Sequence, residues 1–294
     1  LPNLFADNVQ LQHAPLYPAL MWFWTKFFGV SEFSLRLPSL LAIVASSVVL
    51  YRLLIAVSNR EFAAVSTLFF MALPQTRLLA MDARPYALAV LFSVISLFGL
   101  ARWTKERRML PALLCVGGAT CSVMTHYLFS TIVAVQLAFF VYLLEKNRAE
   151  GRAFFKAVLL PSGLAVGAVL FRFVFLLGNQ GKLSFTLPPT LAEVSEVFFP
   201  PLVVAGVAVG ALVGRMFAGR PSFGMPPLER KYLVFFGILY VVPPICIVLL
   251  SLLLRAGLLL PRYYASTLPG LAVLAAAAVF IFAGRKMRVF VFSS

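Results

Sequence analysis

The sequence predicts an all-α, polytopic integral membrane protein, and three observations carry that prediction. Hydrophobic residues make up 62% of the 294-residue chain, and the mean hydropathy is +0.96. Apolar runs long enough to cross a bilayer recur along the chain, each helical crossing needing about 20 apolar residues. Lys and Arg sit in short stretches between those runs, so the net charge of +15 reads as a positive-inside signature and not as a nucleic-acid footprint.

Breakers and charges set the elements in order. Residues 15–28 form a short apolar helix with Tyr17, Trp22 and Trp24, too short to cross and suited to the membrane interface. Crossings follow near 35–56, 61–79, 86–103, 110–125, 128–144, 157–178, 199–217, 232–254 and 264–283, about nine in all. Pro243-Pro244 should kink the eighth, because two backbone donors are lost there. The organisation is therefore a remnant of an outer loop (1–34), a helical membrane domain (35–283) with an outer loop at 179–198, and a tail (284–294). Cys115, Cys121 and Cys246 lie inside apolar runs without metal-type spacing and read as small buried hydrophobes. The first residues lack the basic start and apolar stretch of a signal peptide, and no Met opens the chain, which is expected to begin inside a loop.

Charge counting orients the spans. One set of loops holds 17 of the 25 Lys and Arg, the opposite set holds 7, and Arg172 lies inside a span. The richer side is expected to be cytoplasmic, with the amino end outside and the carboxyl end inside. The outer side then collects Asp7, His13, Glu32, Arg36, Arg77, Asp82, Arg84, Tyr86, His126, Tyr127, Lys182, Glu193, Glu196, Arg255, Arg262, Tyr263 and Tyr264. Ionisable groups at membrane depth are costly, so a set converging on one face is a candidate site. Ordinary roles stand beside that reading. Arg36 can snorkel, Glu32 can cap the helix it begins, and Asp82 can pair locally with Arg84. His126 can satisfy a backbone carbonyl in a tight turn, and Arg262-Tyr263-Tyr264 can anchor at the interface.

Several of these segments resemble one known family. Asp7-Asn8-Val9, then His13-Ala14-Pro15-Leu16-Tyr17 and Phe28-Gly29-Val30-Ser31-Glu32-Phe33-Ser34-Leu35-Arg36-Leu37-Pro38-Ser39, resemble the early outer loop of polytopic GT-C glycosyltransferases. These are proteins similar to dolichyl-phosphate-mannose–protein mannosyltransferases and the lipid A aminoarabinose transferase. Asp82-Ala-Arg84-Pro85-Tyr86-Ala-Leu88, Thr125-His126-Tyr127 and Pro261-Arg262-Tyr263 with Pro269 resemble later motifs, in the family's order. Asp82 stands where Glu is more usual, and Ala14 where Pro is. The family's acidic pair, which supplies its catalytic base, is expected upstream of Leu1.

The resemblance implies a sugar transferase with a polyprenyl-phosphate donor and an acceptor hydroxyl on a lipid, glycan or protein. It implies inversion at the anomeric carbon on the extracytoplasmic face of a membrane, expected to be a bacterial inner membrane. Within the chain, Asp82, His13 and Asp7 are the candidate catalytic groups. Arg84 and Arg262, with Tyr86, Tyr263 and Arg172, are the candidates for the donor phosphate, since guanidinium binds phosphate bidentately. No cofactor is required outright; a divalent metal (Zn, Mn or Mg) on His126 and Asp82 is the option the resemblance leaves open. The outer loop, with Gly178, Gly181, Pro188 and Pro189, is a candidate lid over the acceptor. Membrane lipids are expected partners and nucleic acid is not. A non-catalytic scaffold or lipid-binding relative is the main alternative, and a transporter would need an internal repeat that the sequence does not display.

Overall fold

The computed structural model describes residues 14–177, 189–200, 203–209, 212, 227–254 and 257–282. Helices supply the regular structure of these residues. They run α1 (Leu16–Phe28), α2 (Glu32–Val57), α3 (Arg60–Ala72), α4 (Pro74–Met81), α5 (Tyr86–Glu106) and α6 (Met109–Thr125). A 3-10 turn (Tyr127–Ser130) leads into α7 (Thr131–Lys146). Then come α8 (Arg148–Phe154), a π turn (Phe155–Leu159), α9 (Leu160–Leu177) and α10 (Leu191–Phe198). The last are α11 (Val203–Val209), α12 (Arg230–Leu254), a 3-10 turn (Ala265–Thr267) and α13 (Leu268–Phe282).

Five helical stretches among the described residues are long and apolar enough to cross a membrane, or up to seven if each bent pair counts as one crossing. Met109–Thr125 and Ala265–Ile281 are apolar but shorter. Among the described residues the length criterion thus supports five to seven crossings, and the exact count of nine is not confirmed. The outward faces fit a hydrocarbon surround, with Val48, Leu113, Leu137, Val141, Leu164 and Leu249 all exposed.

The expected second crossing is broken. α3 and α4 meet at a 62° bend because Pro74 pushes Leu73 into extended backbone (φ −57°, ψ 130°) and then serves as the first residue of α4. The charged stretch expected as a loop between the fifth and sixth crossings is instead helical. Asn147 accepts hydrogen bonds from the N–H groups of Ala149 and Glu150 and so starts α8, which continues through the π turn into α9. Glu32 does not cap α2; the Ser31 hydroxyl accepts from Ser34 N–H, and Glu32 pairs with Arg36 at 2.7 Å. Pro243 and Pro244 are buried within α12, which runs through them as one helix.

The tightest packing joins α5 to α6. Ser93 and Ser122 share a hydrogen bond of 2.8 Å, Ser122 donates to Ala89 O at 2.9 Å, and Ser96 donates to Cys115 O at 2.8 Å. Small residues let the two backbones meet, as expected where lipid removes the hydrophobic drive between helices. At the opposite end of α5 from Tyr86, Thr104 and Tyr232 share a 2.8 Å hydrogen bond that ties α5 to α12. α1 folds back at Gly29, whose φ of 71° suits glycine, and Trp24 donates through Nε1 to Ser34 O at 2.8 Å.

Candidate functional site

α4 ends at Met81, and the stretch 82–85 carries the chain into α5. Arg84 N–H bonds to Asp82 O at 2.9 Å, a tight turn that also brings Arg84 Nε to 3.3 Å from Asp82 Oδ2. Both side chains are about half-exposed, at 51% and 43%. An ion pair that wet contributes little, roughly 0–1 kcal/mol, so Arg84 can exchange its partner cheaply. Pro85 holds φ at −65° and opens α5, so Tyr86 sits in the first turn.

His126 is extended (φ −156°, ψ 120°) between α6 and the 3-10 turn. The expected two-residue turn is in fact one extended residue followed by 3-10 backbone. The His126 ring lies 4.9 Å from Tyr86, stacks on Tyr263 at 5.5 Å and 29°, and meets Phe129 edge-on at 6.0 Å. Tyr86 and Tyr263 are themselves 5.9 Å apart. These rings join α5, the α6–α7 connection and the approach to α13 at one end of the bundle.

Arg262 closes the cluster. Its guanidinium carbon lies 5.4 Å from the Tyr263 ring and 6.0 Å from the Tyr86 ring, within cation–π reach. Its Nε is buried with no hydrogen-bond partner among the described residues. Arg262 and Asp82 line one cavity of about 440 Å³ with Gln75, Leu79, Leu260 and Pro261. Asp82, Arg84, Tyr86, His126, Arg262 and Tyr263, drawn from three distant stretches, therefore meet in one place.

Two further side chains belong to this neighbourhood. Tyr17, on α1, is pushed up to about 12 by burial first and by the charge of Asp82 second. Its place in His13-Ala-Pro-Leu-Tyr17 was a usable signal, although sequence reasoning treated it as an interface anchor. Gln75 was missed because no single residue stands out at the polar start of α4. On the far side, Tyr264 is also pushed up to about 12, by burial, then Tyr240 and Glu196. Tyr240 donates to Val197 O and Phe198 O at 3.0 and 2.9 Å and so holds the end of α10 beside the site. The part of the expected outer loop that is described is thus helical, started by a reciprocal cap between Thr190 and Glu193.

Asp7, His13, Lys182 and Arg255 lie outside the described residues, as do Gly178, Gly181 and Pro188 of the expected lid and the side chain of Arg172 on α9. Among the described residues no group of three or more His, Cys, Asp or Glu is placed to hold a metal ion. His126 and Asp82 alone supply two donors, short of the three or four that a resident divalent ion usually takes from protein.

A family comparison decides what kind of protein carries this site. The sequence model of the dolichyl-phosphate-mannose–protein mannosyltransferase family matches residues 12–193. The chain belongs to that family. It is accordingly related to membrane glycosyltransferases of the GT-C type. No individual curated protein matches it. The matched stretch contains α1 to α9 and with them Tyr17, Asp82, Arg84, Tyr86 and His126; Arg262 and Tyr263 fall beyond it.

Proposed function

We infer that the protein transfers a sugar from a polyprenyl-phosphate donor to an acceptor hydroxyl on the extracytoplasmic face of the membrane. The observation that carries this reading is that Arg262 and Asp82 line one cavity between α4 and the 260–263 turn, with Arg84 paired to Asp82. Two guanidinium groups against one carboxylate leave a net positive site. The amino end of α5 adds the partial positive charge of its first turn. That combination suits a phosphate that must leave with its negative charge.

In the proposed reaction the acceptor oxygen attacks the anomeric carbon, and the bond from that carbon to the phosphate oxygen breaks. The polyprenyl phosphate departs with the electron pair, held by Arg262 and Arg84. The configuration inverts. A carboxylate takes the acceptor proton, and Asp82 is our candidate for it among the described residues. Asp7 and His13 are proposed to act on the sugar or acceptor side. Tyr17, whose hydroxyl burial keeps protonated, is not suited to act as the base.

A lipid donor also gives a use to a second, apolar groove of about 320 Å³ between α1, α2 and α5, lined by Leu20, Met21, Trp24, Leu41, Leu88 and Leu91. It starts near the Tyr86 turn of α5 and passes under α1, where an isoprenoid could lie while its phosphate reaches Arg84.

The test uses the complete gene product reconstituted in liposomes with radiolabelled polyprenyl-phosphate mannose, glucose and arabinose. Release of polyprenyl phosphate from one donor is expected. Arg262→Ala should lower the rate about 10²–10³-fold, the usual loss for one anion-stabilising donor. No release from any donor, or an Arg262→Ala rate near wild type, refutes the reading. Donor retention without release would favour the scaffold alternative.

A further inference from the structure

We propose that the outer face of α8 is a binding site for the headgroup of an anionic phospholipid, at the end of the bundle opposite the candidate site. α5 and α7 both run from the His126 end toward this one, at Glu106 and Lys146, and α8 follows α7 directly. The inference rests on the membrane assignment but not on the transferase reading.

The cations at this end fall into two groups. Arg102, Lys105, Arg107, Lys146 and Lys231 each pair with a carboxylate, of Glu106, Glu229, Glu150, Glu145 and Glu229 respectively. Arg52, Arg60, Arg230, Arg148, Arg152 and Lys156 are exposed and form no ion pair among the described residues, and the last three follow one another along a single helical stretch. The four-residue spacing of these three places them on one helical face. The opposite face buries Gly151, Phe154 and Val158. Arg108, also exposed and without an ion pair among the described residues, precedes α6, which packs on the π turn.

Apolar surface borders this stripe. Met109 is 74% exposed, Leu110 67% and Phe155 40%. Cations beside exposed apolar side chains match a phosphate ester that carries acyl chains, and match free phosphate poorly. The face is also fixed before anything binds. Arg107 adopts a left-handed conformation (φ 55°) that lets its guanidinium lie 4.3 Å from the Trp103 ring and 2.7 Å from Glu150 on α8. Asn147 caps the helix, and Gly151 sits so close to Leu144 that a Cβ there would fall 2.6 Å from its Cδ2. A held helix binds without the entropy cost of ordering the segment. The acids nearest along the chain are already engaged, Glu150 by Arg107 and Glu145 by Lys146.

The experiment is native mass spectrometry of the detergent-purified full chain, offered equal amounts of phosphatidylglycerol and phosphatidylcholine. Wild type should retain phosphatidylglycerol in preference, by on the order of tenfold or more for three surface cations. The triple variant Arg148→Gln, Arg152→Gln, Lys156→Gln should lose that preference, whereas Arg52→Gln with Arg60→Gln should keep it. Equal retention of the two lipids by wild type overturns the proposal without any variant. So does a triple variant that folds and still prefers phosphatidylglycerol, or displacement of the lipid by millimolar inorganic phosphate, which would mark a plain anion site.

Discussion

Two neighbouring glycines on α6 should respond to alanine in opposite directions. A Cβ at Gly118 would lie 2.6 Å from Ser96 N and 2.8 Å from Phe92 O, both backbone atoms of α5. At Gly99, on α5, it would lie 2.4 Å from Cys115 N and 2.7 Å from Pro111 O, where ordinary contact begins near 3.4 Å. Backbone cannot swing aside as a side chain does, so α5 and α6 must separate by close to that shortfall. Overpacking of this kind costs roughly 1–3 kcal/mol, and the helix-propensity gain of Gly→Ala returns about 1 kcal/mol at most. Gly118→Ala and Gly99→Ala are therefore expected to destabilise by up to about 2 kcal/mol. Gly117 has open space beside it, so Gly117→Ala should be neutral or gain up to about 1 kcal/mol. The assay is unfolding of the purified protein by titrating a denaturing detergent, followed by circular dichroism. Equal effects at positions 117 and 118 would refute the close-packing argument. The same separation should reach the site, because α5 begins at Tyr86 and α6 ends one residue before His126, and the 4.9 Å contact between those rings depends on the helix spacing.

Three other outcomes are expected. Tyr240→Phe removes both hydrogen bonds to the end of α10, so limited proteolysis between residues 190 and 200 should speed up several-fold while global unfolding barely moves; unchanged cleavage would show that the bonds do not hold α10. Tyr17 and Tyr264 are raised from 10.0 to about 12, by burial before any charge, so they favour the folded state below pH 10, and that contribution is lost as pH climbs from 10 to 12. Unfolding midpoints measured across that range should fall, and Tyr17→Phe with Tyr264→Phe should flatten the fall; an unchanged slope counts against it. A metal on His126 and Asp82 requires that purified wild type carry near-stoichiometric zinc, manganese or magnesium and that His126→Ala lose it; equal metal content in both, by elemental analysis, removes that option.

The site was legible from the sequence because of parity. Residue 82 precedes α5, residue 126 follows the return crossing α6, and residue 262 precedes α13, so alternation of crossings alone puts all three at one end. Hydropathy is blind to finer geometry. Averaged across 61–79 it stays apolar, although it falls at Pro74-Gln75-Thr76-Arg77, and so the bend at Pro74 was concealed. Charge misled at 146–156, where Lys and Arg suggested a loop but their four-residue spacing lies on a helix capped by Asn147. At the start of α2 the acid of Glu32 drew notice, while the hydroxyl of Ser31 one residue earlier makes the cap. Gln75 was passed over because it sits beside Thr76 and Arg77 at the polar start of α4, where no single residue stands out.

Contact preferences also rank the two arginines, which motif reading could not do. Arg84 already spends an Nε–H on Asp82 in a half-exposed pair. Arg262 is held through ring faces, against Tyr86 and Tyr263. A cation–π contact engages the charge of the guanidinium and leaves its in-plane N–H donors available, so a phosphate can be gripped bidentately without first breaking a hydrogen bond. Its Nε, buried and without a partner among the described residues, suits an anion. Arg262 should therefore matter more to the leaving phosphate than Arg84. That order is open to measurement: if Arg84→Ala slows transfer more than Arg262→Ala does, the ion pair with Asp82, and not the aromatic cradle, organises the chemistry.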